Sequence, residues 1–208
     1  MMNIDTIIFD FNGTIIDDVD LCLNILNKML TERNYQAVSK DKYLDIFDFP
    51  VKDYYVKAGF DFNKHPFSEL AVEFINLYQP ASLNCELYSS VIPFLENHKD
   101  KNLIILSASH KDKLNEQIDH FGIRKYFTAI LGTDTIEGKG KLDVATEYLK
   151  NNNLNPQKTL LIGDTIHDLE VATALGVNCA LVAKGHQSKE RLLKHTKNVF
   201  DDMKDINI

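Results

Sequence analysis

Ile4-Asp5-Thr6-Ile7-Ile8-Phe9 runs straight into Asp10-Phe11-Asn12-Gly13-Thr14. A short β-branched and aromatic run, apolar on consecutive residues from Thr6 onwards, suits a parallel strand buried on both faces, because a strand with one wet face alternates. Similar runs recur at residues 103–106, 129–131, 159–162 and 179–182. Segments of helical periodicity lie at 91–98, 111–121, 141–151, 166–175 and 188–195. This β-α-β-α order predicts an α/β fold with a doubly wound, Rossmann-like parallel sheet as its core.

One region breaks the alternation. Residues 17–83 offer no run suited to a buried strand, only amphipathic stretches such as 21–30 and 67–78. We therefore expect an inserted α-helical domain, with the core divided between residues 1–16 and 84–208. Tyr43, Phe47, Phe49, Tyr54, Tyr55, Phe60 and Phe62 crowd this insertion. The reading we favour is that they form the insertion's own small core; the alternative is that one or two of them face a substrate.

Bulk properties narrow the class. A chain of 208 residues, 44% hydrophobic and 25% charged, can bury one α/β core and a small accessory domain. Its formal net charge of −7 argues against a nucleic-acid partner, which calls for a basic face. Cys22, Cys85 and Cys179 are isolated and odd in number, which suggests neither a disulfide framework nor a metal motif. With neither a secretory leader in residues 1–10 nor an apolar stretch of membrane-spanning length, a cytoplasmic protein is expected, a monomer or weak dimer without a membrane partner.

In an open parallel sheet, ligands gather at the carboxyl ends of the strands. The first run ends in Asp10-Phe11-Asn12-Gly13-Thr14 and the second in Ser107-Ala108-Ser109. The third leads to Lys139 or Lys141, and the fourth ends in Gly163-Asp164-Thr165-Ile166-His167-Asp168. In order and spacing the chain resembles the haloacid dehalogenase superfamily, whose phosphatases carry D-x-D-x-T, a strand-end Ser or Thr, a Lys, and G-D-x-x-x-D. The helical insertion after the first motif resembles the cap of the phosphoglycolate phosphatase-like branch.

The resemblance implies a phosphatase for a small-molecule phosphate ester, with Asp10 as the nucleophile of an aspartyl-phosphate route. It implies Mg2+ bound by Asp10, the backbone carbonyl of Asn12 and Asp164, with Asp168 a further ligand or an orienting group. Ser107, the N–H of Ala108 and Ser109 would hold phosphate oxygens. A lysine would neutralise nucleophile and phosphate; Lys141, which opens a helix after Gly140, is preferred to Lys139. His110 and His167 flank the motifs and are expected to be capping or surface residues, while Thr14 should make structural hydrogen bonds.

Asn12 departs from the pattern, since these phosphatases usually carry a second aspartate there as the acid–base group. An amide cannot exchange that proton at neutral pH, which forfeits roughly 10²–10⁴ in rate. Three origins of the amide compete. We favour a branch that uses a good leaving group or recruits Asp17, Asp18 or His110 over an engineered change and over slow deamidation of Asn12-Gly13. Other members of the superfamily supply alternative activities. A dehalogenase has no need of Asp164, and a phosphonoacetaldehyde hydrolase needs a desolvated lysine, for which Lys28, Lys40, Lys42, Lys52 and Lys57 are the candidates. A phosphomutase would need an acid at position 12 even more. A catalytically weakened binding or regulatory member is the alternative of another class.

Overall fold

The computed structural model describes residues 3–133 and 140–208. Its elements begin with β1 (Thr6–Phe9) and β2 (Ile16–Asp17), followed by four helices, α1 (Val19–Thr31), α2 (Lys40–Ile46), α3 (Val51–Ala58) and α4 (Phe67–Ser82). Then come β3 (Glu86–Leu87), α5 (Val91–Asn97), β4 (Asn102–His110), α6 (Lys111–His120), β5 (Ala129–Thr133) and α7 (Lys141–Asn151). The chain closes with β6 (Thr159–Gly163), α8 (Ile166–Leu175), β7 (Asn178–Val182), α9 (Lys189–Leu193) and β8 (Val199–Phe200).

Six strands form one sheet in the order β5-β4-β1-β6-β7-β8, and every neighbouring pair is parallel. The central strands explain why the chain carries apolar runs rather than alternation. In β1, Ile7 and Phe9 enter one apolar cluster while Ile8 enters another; Leu160 and Ile162 divide from Leu161 in the same way in β6. Successive side chains point to opposite faces of a strand, so a sheet covered by helices on both sides needs apolar residues at every position. From β1 the chain builds outwards through β4 and β5, then returns to the other side of β1 for β6, β7 and β8. That reversal makes the carboxyl ends of β1, β4 and β6 a switch-point crevice.

Helices α1–α4 lie between β2 and β3, which pair antiparallel as a separate two-stranded ribbon. Their apolar side chains form a cluster of their own, including Cys22, Ile25, Leu26, Met29 and Leu30 at helical spacing along α1. Tyr43, Tyr54, Tyr55 and Phe60 are buried in it.

One expectation changes. The second run continues as strand to His110, with an irregularity in pairing between Leu106 and His110, because the polar stretch still bonds to β5. The charged tail is anchored: β8 pairs with β7, Met203 and Ile206 join the core, and the buried Asp202 carboxylate accepts from Lys184. Among the described residues no helix is long and apolar enough to cross a membrane.

Candidate active site at the strand ends

Asp10 follows β1 directly, and its backbone N–H bonds Ile162 O at 2.8 Å, which extends the pairing with β6. Its side chain meets Lys141, the first residue of α7, whose Nζ lies 2.5 Å from both Asp10 Oδ1 and Asp168 Oδ1. Lys139, the other candidate, lies outside the described residues. Asp164 sits at the end of β6 with no exposure to solvent. Its Oδ1 accepts from Thr14 Oγ1 at 3.1 Å and its Oδ2 from the backbone N–H of His186 at 2.6 Å.

Asp168 is occupied on both oxygens. Oδ1 holds Lys141, while Oδ2 accepts from Thr165 Oγ1 at 2.7 Å and from the backbone N–H groups of Thr165 and Asp164 at 3.0 and 3.2 Å. It is thus the N3 member of a capping box that starts α8, which ties the helix to the loop carrying Asp164.

One ammonium opposes three buried carboxylates here. Burial, against the pull of Lys141, pushes the Asp10 carboxyl up to about 8, with Asp168 and Asp164 adding to the rise. Asp164 is pushed up to about 6 by burial, opposed by the charge on His186. For Asp168, burial also favours the neutral acid, but Lys141 and the Thr165 hydrogen bonds hold it below the usual range. One oxygen from each of Asp10, Asp164 and Asp168 comes within 4.8 Å of the others. An all-oxygen donor set with uncompensated negative charge fits a hard divalent cation such as Mg2+.

On the β4 side, Ser107 is buried and its hydroxyl accepts from the N–H of Ser109 at 3.1 Å. The carbonyl of the exposed Ala108 accepts from Thr133 Oγ1 at 3.0 Å. Ser109 Oγ donates to Asn12 Oδ1 at 3.3 Å, so the second strand end touches the first.

Asn12 is held on its other side by Asp18 and Tyr78. Its Nδ2 donates to Asp18 Oδ2 at 2.9 Å and to Tyr78 OH at 2.5 Å. Asp18 is fully buried and accepts further bonds from Gly13 N–H at 2.9 Å and Tyr78 OH at 2.6 Å. Gly13 has φ +71°, and a Cβ on it would lie 2.5 Å from Asp164 Oδ2, so glycine is required by conformation and by space. Of the three candidate acids, Asp17 and His110 are exposed, and His110 serves as the N-cap of α6. His167 stacks on Phe49 with ring centroids 4.8 Å apart.

Sequence reasoning misses His186, which carries no motif. It follows the fifth apolar run, whose carboxyl end shares the edge with the other four, and that position is the one signal that points to it. Its ring is 3.2 Å from Asp18 Oδ1 through Nε2 and 2.8 Å from Tyr43 OH through Nδ1, and it stacks on Phe47 at 4.6 Å. Burial works against its charge, but Asp18, then Asp164 and Asp10, push it up to about 9. Asp18, Cys22 and His186 also approach within 4.8 Å of one another. There the imidazolium already supplies the cation, and burial and Asp18 keep the Cys22 thiol protonated, so this cluster is an ion pair beside a neutral thiol.

The lysines of the helical segment give no support to Schiff-base chemistry: Lys28, Lys40, Lys42, Lys52 and Lys57 are all exposed, and so is Lys64.

The family model for haloacid dehalogenase-like hydrolases matches residues 7–182. A phosphoglycolate phosphatase of Aquifex aeolicus is 28% identical over 193 residues, covering 86% of this chain and 85% of its own. An N-acetylmuramic acid 6-phosphate phosphatase of Pseudomonas putida is 24% identical over 191 residues, covering 89% of this chain and 85% of its own. Among solved structures, the haloacid dehalogenase-like hydrolase SP0104 of Streptococcus pneumoniae superposes with a TM-score of 0.81 at 20% identity, over 96% of this chain and 94% of its own.

Proposed function

Because the chain belongs to the haloacid dehalogenase-like hydrolase family, we propose that it is a magnesium-dependent phosphatase acting on a small phosphate monoester through an aspartyl-phosphate on Asp10. The observation that carries this reading is the buried carboxylate at the end of β1, held 2.5 Å from the Lys141 ammonium beside Asp164. Relatives named as phosphatases for phosphoglycolate and for N-acetylmuramic acid 6-phosphate support the reaction class, and the difference between their substrates leaves the choice of substrate to the helical insertion.

Asp10 Oδ attacks phosphorus, the ester P–O bond breaks, and the leaving oxygen departs with the bond's electron pair. Water then attacks phosphorus, which releases orthophosphate and returns the carboxylate. Lys141 steadies the negative charge of nucleophile and phosphoryl oxygens throughout, and Asp168 keeps it aimed. Asp10, Asp164 and the backbone carbonyl of Asn12 would hold Mg2+, which when bound neutralises the nucleophile and the phosphoryl oxygens. Ser107, the N–H of Ala108 and Ser109 bind the remaining phosphate oxygens. Asn12 exchanges no proton, so the site favours substrates whose leaving oxygen is a weak base. The residues between β2 and β3 serve as a cap that excludes water. Free cysteines at Cys22, Cys85 and Cys179 accord with a reducing compartment such as the cytoplasm.

Orthophosphate release from p-nitrophenyl phosphate and a panel of glycolate, sugar and nucleotide phosphates tests the proposal. Release is expected to require Mg2+, to cease with chelator and to be absent in Asp10→Asn. No turnover above an Asp10→Ala control sinks it.

A further inference from the structure

We propose that residues 183–188 form a positioning relay, in which His186 and Gln187 transmit the seating of the helical insertion to the loop that carries Asp164. The proposal rests on the metal-dependent reading above and assigns roles to two residues which that reading leaves unused.

Each residue joins the insertion to the metal-binding carboxylate by a separate route. His186 receives the insertion through its ring, by the 2.8 Å bond to Tyr43 of α2 and the stack on Phe47. It passes that position on through its backbone N–H, 2.6 Å from Asp164 Oδ2, and through Nε2, 3.2 Å from Asp18 Oδ1. Asp18 in turn fixes Gly13 N–H and the Asn12 amide, so the loop after β1 is held by the same ring. Gln187 makes the second route: Nε2 donates to Phe47 O at 2.9 Å, and Oε1 accepts from Ile166 N–H at 2.8 Å, two residues beyond Asp164. His186 and Gln187 are both almost fully buried.

The packing leaves little play between these groups. A Cβ on Gly185 would stand 2.1 Å from Asp164 Oδ2, so the loop backbone is pressed against the carboxylate itself. If the insertion lifts, Tyr43, Phe47 and the Phe47 carbonyl leave together, and both side chains lose the partners that fix the backbone beside Asp164. Thermodynamic reciprocity then requires that a cation on Asp164 hold the insertion down by the same factor that seating improves cation binding.

Calorimetric titration of Mn2+ into the full-length, substrate-free protein tests this, with Tyr43→Phe and Gln187→Ala as variants that leave the ion pair in place. Each is expected to raise the Kd about 3–10-fold, less than the 10–100-fold that follows loss of a group bonded directly to a metal ligand. Hydrogen exchange supplies a second readout: Mn2+ should slow exchange across α2 and α3 in the wild type and slow it less in either variant. Variants that melt earlier but bind Mn2+ within twofold of wild type, with the same Mn2+-dependent protection, overturn the relay while leaving the phosphatase reading intact. A wild-type protein that binds no divalent cation removes both.

Discussion

Replacing Asn12 by Asp restores the family's usual acid, and the structure indicates what that costs. In the wild type Asn12 Nδ2 lies 2.9 Å from Asp18 Oδ2, an acceptor with no exposure to solvent. Two carboxylates at that separation repel by about 6 kcal/mol at an effective dielectric of about 20. Protonating an ordinary aspartate at pH 7.5 costs about 5 kcal/mol, which is less, so the new side chain takes up a proton and donates to Asp18 as the amide did. Allowing for the half-buried position of Asn12, the variant should be about 3–5 kcal/mol less stable at pH 7.5, recover about 1.4 kcal/mol for each unit the pH falls, and match the wild type near pH 4. Urea unfolding at a series of pH values measures this, with an unchanged m-value as the control. An acid that keeps its proton near neutrality can also protonate a leaving oxygen. Turnover of alkyl phosphates by the folded variant should therefore rise by about 10–100-fold, while p-nitrophenyl phosphate, with its weakly basic leaving oxygen, gains little. Equal stability at pH 7.5, or a penalty that does not shrink at pH 5, would refute the proximity argument.

Three further outcomes are expected. Lys141→Met orphans two buried carboxylates and should cost about 3–5 kcal/mol; the same change makes the site more negative, so Mn2+ should bind more tightly by calorimetry while phosphate release falls at least about 100-fold, and weaker binding would count against the assigned role. Asp10 is raised from 3.8 to about 8, so the metal-free fold retains a proton that the unfolded chain has released, and stability is lost as pH rises from 4 towards 8; bound Mg2+ takes the proton's place, and the gain in Tm on adding Mg2+ should be larger at pH 8.5 than at pH 6. His186 is raised from 6.5 to about 9, so its ion pair stabilises fully below pH 6.5 and is lost as pH rises through 9; the stability gap between wild type and His186→Gln, about 3 kcal/mol by urea unfolding at pH 6, should close by pH 10, and a gap that stays constant rejects the charged histidine.

The sheet is legible in the sequence because its strands are buried on both faces. Ile7, Ile8 and Phe9 cannot be anything but apolar when two different clusters receive them in turn, and the same holds for Leu160, Leu161 and Ile162. Lys141 stands out from Lys139 because it opens a helix after Gly140, and the structure brings its ammonium to Asp10. What the sequence hides depends on contacts between distant segments. Asp18 stands out no more than Asp17, its exposed neighbour, and only the approach of Tyr78 and His186 separates them. His186 itself follows a strand by four residues with no motif around it. Its weight comes from Tyr43 and Phe47, more than a hundred positions away along the chain, and periodicity carries no such information. The aromatic crowding of the insertion is mostly core, as its density suggests, yet Tyr43 also reaches His186 through its hydroxyl, and Phe47 and Phe49 reach His186 and His167 through their rings because of where the loop after α2 places them.

The shared ownership of Asp18 limits how this molecule can be recombined. The residue sits at the N-terminal boundary of α1, bonds to the loop after β1, and is completed by Tyr78 from one side and His186 from the other. Exchanging the helices at the β2–β3 ribbon for those of a relative without counterparts of Asp18, Tyr43 and Tyr78 would leave the sheet's apolar packing intact while stripping the buried His186 of its carboxylate and hydroxyl partners. Such a chimaera should fail for electrostatic rather than steric reasons, and moving residues 183–188 together with the helices should repair it. If the helices choose the substrate, as proposed, that choice would pass to a chimaera only together with residues 183–188, and a cassette cut at the ribbon alone would not carry it.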